Sequence, residues 1–462
     1  MLVSMTLASQ NRSISLFVGP CLAAMIFFMP TPTGLTTQGQ ASLGVLFLCV
    51  CWWICGPIAL STTAFIGMIL LPLSGAMSSD ETISLLGNQA VFFVIAVFLV
   101  AGSSNYVGLS KRMGIWILER YSYNANALCN SILGASFFLC FFLVSHAVCA
   151  LMLPLVLSIL RILEEQQGTK LAKRMLLSMA WGTVCGSNLS LLSSARAGLA
   201  LELLHTYEQS ISIGFLEYSL AAVPCAIFSL VLVWALLAWR YPCSDVEIQG
   251  VAVALRAQKN RLGRITTKEC HTLIITGCML ISISIIGTAW MGVISLFFCV
   301  LFFIFRTITW RYATKEINWG IVLLYGGAIA IGSAVYQTGA ALWIIQGVLD
   351  IFVQETMLLA LVCIVVLCTE LISNSAVIAI VLPLALILCD PFQLDQRIMT
   401  LMVPICAGFA FVLPTSTPAM AMIFGSGHVN VGDTLWGVPL VMGSMVGFFG
   451  VLHFWWPYVG MV

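Results

Sequence analysis

The chain has 462 residues, 61% of them hydrophobic and only 8% charged, with 19 Lys and Arg against 18 Asp and Glu. A soluble domain carries about a quarter charged residues, so this chain has too little polar material to cover its own surface in water. A soluble enzyme, a nucleic-acid binder and a disulfide-built secreted scaffold are excluded, because no large basic patch exists and the seventeen cysteines are odd in number, form no CxxC pair and sit mostly in apolar blocks.

The apolar residues fall into blocks long enough for membrane helices, which need about 20 residues each. Seventeen of the nineteen basic residues gather in five groups: Arg12; Lys111, Arg112 and Arg120; Arg161, Lys170, Lys173 and Arg174; the run from Arg240 through Arg256, Lys259, Arg261 and Arg264 to Lys268; and Arg306, Arg311 and Lys315. The intervening segments Pro30–Gln40, Ser74–Gln89, Glu202–Glu217 and Asp350–Glu355 are neutral or acidic. The positive-inside rule places the basic loops in the cytoplasm and the others outside.

In chain order, polar Met1–Asn11 precedes a first span, Ile14–Met29, with no cleavable signal. Ala41–Cys55 returns, Pro57–Leu73 leaves and Val91–Ser110 comes back in. Ala125–Leu160 has basic residues on both flanks and so enters and leaves on one side, as a helical hairpin. Leu176–Leu201 goes out and Tyr218–Trp239 comes in; His271–Gly287 and Ala289–Phe305 form a pair, and Trp319–Val348 goes out. Thr356–Cys389 has acidic flanks on both sides and is a second hairpin, entering from outside. Met399–Phe424 returns and Leu435–Trp456 leaves.

The expected fold is an all-α polytopic membrane protein of eleven transmembrane helices plus two re-entrant hairpins, with a cytoplasmic N-terminus and an external C-terminus, in a plasma membrane or bacterial inner membrane. Arg397, on the external side, is the one basic loop residue out of place.

The hairpins match each other. FFLVSHAVCALMLP (Phe141–Pro154) and ELISNSAVIAIVLP (Glu370–Pro383), anchored on the prolines, put Val144-Ser145-His146 over Ser373-Asn374-Ser375. Each precedes a span broken by small and polar residues, GSNLSLLSSARA (Gly186–Ala197) and LPTSTPAM (Leu413–Met420). Opposite entry makes this an inverted repeat: 1–90 as N-terminal scaffold helices, 91–239 as the first repeat with hairpin 125–160, 240–270 as a cytoplasmic linker, 271–318 as second-half scaffold helices, and 319–462 as the second repeat with hairpin 356–390. Broken helices expose backbone groups at mid-membrane depth, which are tolerated where they line a cavity or bind something. Helix N-termini favour anions and freed carbonyls favour small cations, so the pattern points to a secondary transporter that moves an anion together with a cation.

These motifs resemble those of the divalent anion/sodium symporters, which carry Ser-Asn-Thr at each hairpin tip and a Thr-Pro-Pro-Asn-like break in the following span. The second half matches in Thr369-Glu370-Leu371-Ile372-Ser373-Asn374-Ser375 and in Thr415-Ser416-Thr417-Pro418. The resemblance implies a homodimer with a scaffold domain and an elevator-like transport domain, moving a di- or tricarboxylate such as succinate, malate or citrate, or a similar anion, with sodium as the coupling ion and no organic cofactor. It implies a second-half sodium site from Thr369, Ile372, Asn374, Ser416 and Pro418. The implied substrate residues are Ser145, His146, Ser194, Arg196, Ser373, Asn374, Ser375 and Thr417. The first half departs from the family pattern, holding Ser145 for the asparagine and Ser193-Ser194-Ala195-Arg196-Ala197 for the break. A first-half sodium site is therefore not expected intact.

Arg196 is the one basic residue inside a span away from its ends. A mid-membrane arginine is costly enough to need a cavity or a partner, and it is read either as a substrate ligand or replacement cation, or as a packed structural arginine. His146 is read as a cavity residue able to donate to a carboxylate or carry a proton. Glu370, four residues before Asn374, either orients the tip or is a hydrogen-bonded structural carboxyl. His205, His271, His428 and His453 are read as interfacial. The anion stays open, since a carboxylate and a sulfate both suit helix N-termini and an arginine; proton coupling and exchange also stay open. An intramembrane enzyme is disfavoured because neither HExxH nor GxSxG occurs, and a channel or non-transporting sensor on the same fold is the remaining alternative.

Overall fold

The computed structural model describes residues 16–461 apart from 18, 56, 122, 164–168, 209, 244–248, 342 and 344–353. Arg12, the start of the Ile14–Met29 span and Asp350 lie outside the described residues. Among the described residues the regular structure is entirely helical. Leu, Val, Ile and Ala dominate the apolar blocks, and in a lipid environment a helix is the way such a block pairs its own backbone groups. Among the described residues, seven helices are long and apolar enough to cross a membrane: Thr37–Cys55, Ser79–Val107, Ser145–Leu163, Phe215–Arg240, Thr267–Ile286, Trp319–Gln337 and Val431–Tyr458. Their outer faces are apolar as well. Ile285 and Val446 are 78% and 70% exposed, an arrangement that suits lipid and not water.

The helices approach closely through small residues, as expected where lipid supplies no hydrophobic drive. Leu60–Leu73 and Trp319–Gln337 cross at Ala64 and Gly327, where a Cβ on the glycine would stand 2.6 Å from the Ala64 Cβ. Phe215–Arg240 packs on Val438–Gly450, with Phe228 seated on Gly447 and Ser229 donating to Ser444 at 2.8 Å.

Four helix interruptions come in two pairs, and the first of them, 140–144, is apolar and gives way to the polar Ser145-His146. Ala125–Leu139 gives way to Ser145–Leu163 across 140–144, and Gln354–Leu371 to Asn374–Ile387 across 372–373. Each second arm carries a proline nine residues after its first residue, Pro154 and Pro383. Thr169–Gly186 breaks before Ala195–Tyr207, and Gln396–Cys406 breaks before Pro418–Gly425. The halves then exchange partners. Ala195–Tyr207 packs on the second half's Asn374–Ile387, and Pro418–Gly425 packs on the first half's Ser145–Leu163. This reciprocal packing brings all four interruptions to the middle of the molecule.

The segment read as a linker, 240–270, holds a helix, Gln249–Leu262. Val251 and Leu255, four residues apart, are both buried, so one face packs while Lys259 reaches Glu119 at 2.9 Å. Arg112 clamps the end of this segment, pairing with Glu269 at 2.7 Å and donating to the carbonyls of Leu262, Gly263 and Arg264. The long-range ion pairs join residues that the expected order of crossings assigns to one side: Arg112 with Glu269 and Lys173 with Asp433 on the cytoplasmic side, Glu217 with Arg397 on the external one. Arg397, out of place by the charge rule, is thus neutralised by Glu217.

Candidate functional site

A cavity of about 350 Å³ lies where the four interruptions meet. Ser145, Ala195, Asn374 and Pro418 each begin a helix, and all four line it. Four helix N-termini therefore converge on one space, each presenting N–H groups without an intrahelical partner and the positive end of a helix dipole. No Asp or Glu lines the cavity among the described residues, and Arg196 does. Anions are favoured there.

Side chains at the interruptions hold the backbone in place. In the first half the Ser145 N–H donates to the Ser193 carbonyl at 3.0 Å, tying the hairpin tip to the break. Ser190 Oγ donates to the Phe141 carbonyl at 3.1 Å, and Ser193 Oγ donates to the Ser187 carbonyl at 2.9 Å. In the second half Ser373 caps Asn374–Ile387 by accepting from the Ala376 N–H, and Thr417 caps Pro418–Gly425 by accepting from the Met420 N–H at 3.2 Å. Pro at the first helical position lacks an N–H that would be an orphan in any case.

The structure brings most of the residues expected from the sequence to one cavity. Ser145, His146, Ser194, Arg196, Ser373, Asn374, Ser375, Ser416, Thr417 and Pro418 all line the cavity. Thr369 and Ile372 do not. Thr369 lies just behind the wall, fully buried, with its Oγ1 2.8 Å from Asn374 Oδ1 and 2.8 Å from the Ala407 carbonyl. Three hard, neutral oxygens thus sit together, the donor type that suits sodium. Ile372 is buried in the break between the helices, where its backbone carbonyl is what it has to offer. Ser416 Oγ donates to the Leu413 carbonyl at 2.6 Å, which orders the break beside this group.

His146 is half-buried, its ring tilted against Phe98 at a centroid distance of 5.3 Å, and its nitrogens bond to nothing among the described residues. Ser375 Oγ lies 3.2 Å from the hydroxyl of buried Tyr325. Arg196 is 2% exposed. Its Nε donates to the Pro404 carbonyl at 3.0 Å, and its Nη2 donates to Ser187 Oγ at 3.0 Å and to Asn188 Oδ1.

Glu370 serves the backbone and not the cavity. Its Oε1 accepts from the N–H groups of Phe411 and Val412 at 2.8 and 3.1 Å, and its Oε2 accepts from Leu413 at 2.9 Å. One carboxylate thus satisfies three consecutive N–H groups of the second break.

Sequence reasoning did not single out Ser187, Asn188, Pro404, Gly408 or Asn318. Ser187 and Asn188 stood in the polar string of the first break, but nothing local distinguished them from its other polar residues. Asn318 caps Trp319–Gln337 and also lines the cavity. Its helix-capping position was the available signal.

Residues 10–462 match a family described as the sodium:sulfate symporter transmembrane region. The sodium-dependent dicarboxylate transporter SdcS of Staphylococcus saprophyticus is 23% identical over 456 residues, covering 91% of this chain and 86% of that protein. SdcS of Staphylococcus aureus strain USA300 is 24% identical over 454 residues, covering 92% and 87%. Among solved structures, the Alcanivorax borkumensis YdaH transporter aligns with a TM-score of 0.52 at 13% identity, over 82% of this chain and 88% of that one, a likeness of fold.

Proposed function

The chain belongs to the sodium:sulfate symporter family, a family of membrane transporters and not enzymes, and from that premise we propose that it couples sodium to the movement of a di- or tricarboxylate through the central cavity. The convergence of four helix N-termini on a space that no carboxylate lines among the described residues carries this reading. The choice of a carboxylate follows the sodium-dependent dicarboxylate transporters that align along nearly the whole chain. Ser145, His146, Ser194, Ser373, Ser375 and Thr417 contact the anion in this reading. Thr369, Asn374 and the Ala407 carbonyl, with Ser416, Pro418 and the Ile372 carbonyl nearby, take the sodium ion as co-substrate.

The proposal includes eleven spans, two oppositely directed re-entrant hairpins, a cytoplasmic N-terminus and an external C-terminus. The matched prolines, the exchanged packing of the halves and the one-sided ion pairs support that arrangement. The division into scaffold and repeat segments at 90, 239, 270 and 318, the homodimer and an elevator-like movement of the cavity-bearing part rest on family membership. Uptake of radiolabelled succinate, citrate and sulfate by proteoliposomes, with and without a sodium gradient, tests the reading. Succinate or citrate should accumulate when sodium is present. Passive equilibration unaffected by sodium would indicate a channel, and preferential sulfate uptake would displace the carboxylate assignment.

A further inference from the structure

We propose that Arg196 is a tethered cation: its guanidinium fills an oxygen cage beside the first-half break that a free small cation would otherwise occupy, and it supplies a permanent positive charge for the transported anion. This deepens the anion-transport reading and rests on it.

The cage is built from both halves. Pro404 lies in the last turn of Gln396–Cys406. The Gly408 N–H, the usual i+4 donor to Pro404, donates instead to Ile405. The Pro404 carbonyl is therefore one of the acceptors freed at a helix end, and Arg196 Nε takes it up. Asn188 turns its amide nitrogen to the Ile405 carbonyl at 3.0 Å, which fixes its oxygen toward the guanidinium. Ser187 contributes its hydroxyl at 3.0 Å and its carbonyl at 3.4 Å. Each of these acceptors is a neutral oxygen, the set a hard cation takes, and none is a carboxylate. Gly408 completes the fit, because a Cβ there would run into the side chains of Asn188 and Arg196.

The charge is held but not cancelled. Arg196 is buried with no acidic partner among the described residues, and a buried charge without a counter-charge is costly. Nη1, the remaining terminal nitrogen, donates to nothing among the described residues, while Arg196 lines the cavity. An anion entering the cavity supplies the missing counter-charge. The second-half group of Thr369, Asn374 and Ala407 has no such side chain within it, so the halves differ: one holds its cation covalently and the other must recruit it. A tethered guanidinium cannot dissociate and carries no coupling energy.

The test uses the purified, reconstituted protein, succinate as the anion and two variants. Arg196→Ala should lower succinate uptake at least about tenfold. Millimolar ethylguanidinium should restore it, or the sodium order of uptake should rise by one ion as sodium enters the vacated cage. The melting temperature of Arg196→Ala should rise with sodium more than that of the wild type. Asn188→Asp keeps the arginine but cancels its charge, and should weaken succinate binding about tenfold, the new ion pair offsetting the lost hydrogen bond to the Ile405 carbonyl. That variant decides the matter where Arg196→Ala fails to fold. Wild-type uptake with unchanged sodium order in Arg196→Ala, a folded but unrescued Arg196→Ala with no added sodium response, or wild-type succinate binding by Asn188→Asp would each overturn the inference. Were the wild type to bind and move no anion, the transport reading would fall by itself. The sodium-dependent melting of Arg196→Ala against wild type would still judge the cage: an equal response refutes it.

Discussion

Replacing Glu370 by Gln keeps the length of the side chain and removes one acceptor and the charge. In the wild type the two oxygens receive the N–H groups of Phe411, Val412 and Leu413 at 2.8–3.2 Å. A glutamine has a single carbonyl oxygen, so its NH2 must face at least one of these donors. A hydrogen bond to a charged group contributes about 1.5–3 kcal/mol. Loss of one such bond and weakening of the others amounts to roughly 2–4 kcal/mol, with the lower end favoured because Glu370 is half-buried and partly screened. The three N–H groups lie in the break that leads to the Pro418 helix N-terminus, so the damage is delivered to the cavity wall. Glu370→Gln should therefore melt earlier in detergent and take up succinate at least about tenfold more slowly. Glu370→Asp, one methylene shorter, should fall between it and the wild type. A Gln variant with wild-type melting and wild-type uptake would refute the assignment of Glu370 as the anchor of this break.

Asn374→Ala removes an oxygen from the Thr369 group and a polar atom from the cavity; sodium-dependent uptake should be lost, and retained uptake would remove that residue from the site. Gly408→Ala should destabilise the protein by about 1–3 kcal/mol through overpacking against Asn188 and Arg196, read as a lowered melting temperature; a neutral alanine there would contradict the close fit. Arg397→Ala removes a partly exposed pair with Glu217 and should cost less than about 1 kcal/mol, leaving uptake intact. On a background without native cysteines, exposed Lys170→Cys should react with an impermeant thiol reagent only from the cytoplasmic side and Ser210→Cys only from outside; labelling of both from one side would break the proposed topology.

The membrane class, the long apolar helices and the polar stretches Ser187–Ser194 and Thr415–Thr417 were legible in the chain itself, but the helix Gln249–Leu262 was not. The reason is that long apolar blocks and their interruption are one-dimensional properties, set by how many residues a bilayer needs and by the cost of unpaired backbone within it. The pairing of Pro154 with Pro383 followed from an internal match between the two halves, and the gathering of Ser145, His146, Asn374 and Thr417 at one cavity was what the family resemblance implied. What each polar residue touches was not legible. Glu370 binds N–H groups about forty residues away, and Arg196 binds a carbonyl more than two hundred residues away. Both contacts exist because helices of one half pack into breaks of the other. Gly408 reads as an ordinary small residue in an apolar run until Asn188 and Arg196 are placed against it. Local spacing sets which face of a helix a side chain occupies. Only the tertiary arrangement decided whether that face meets a cavity, a freed carbonyl or a neighbouring glycine.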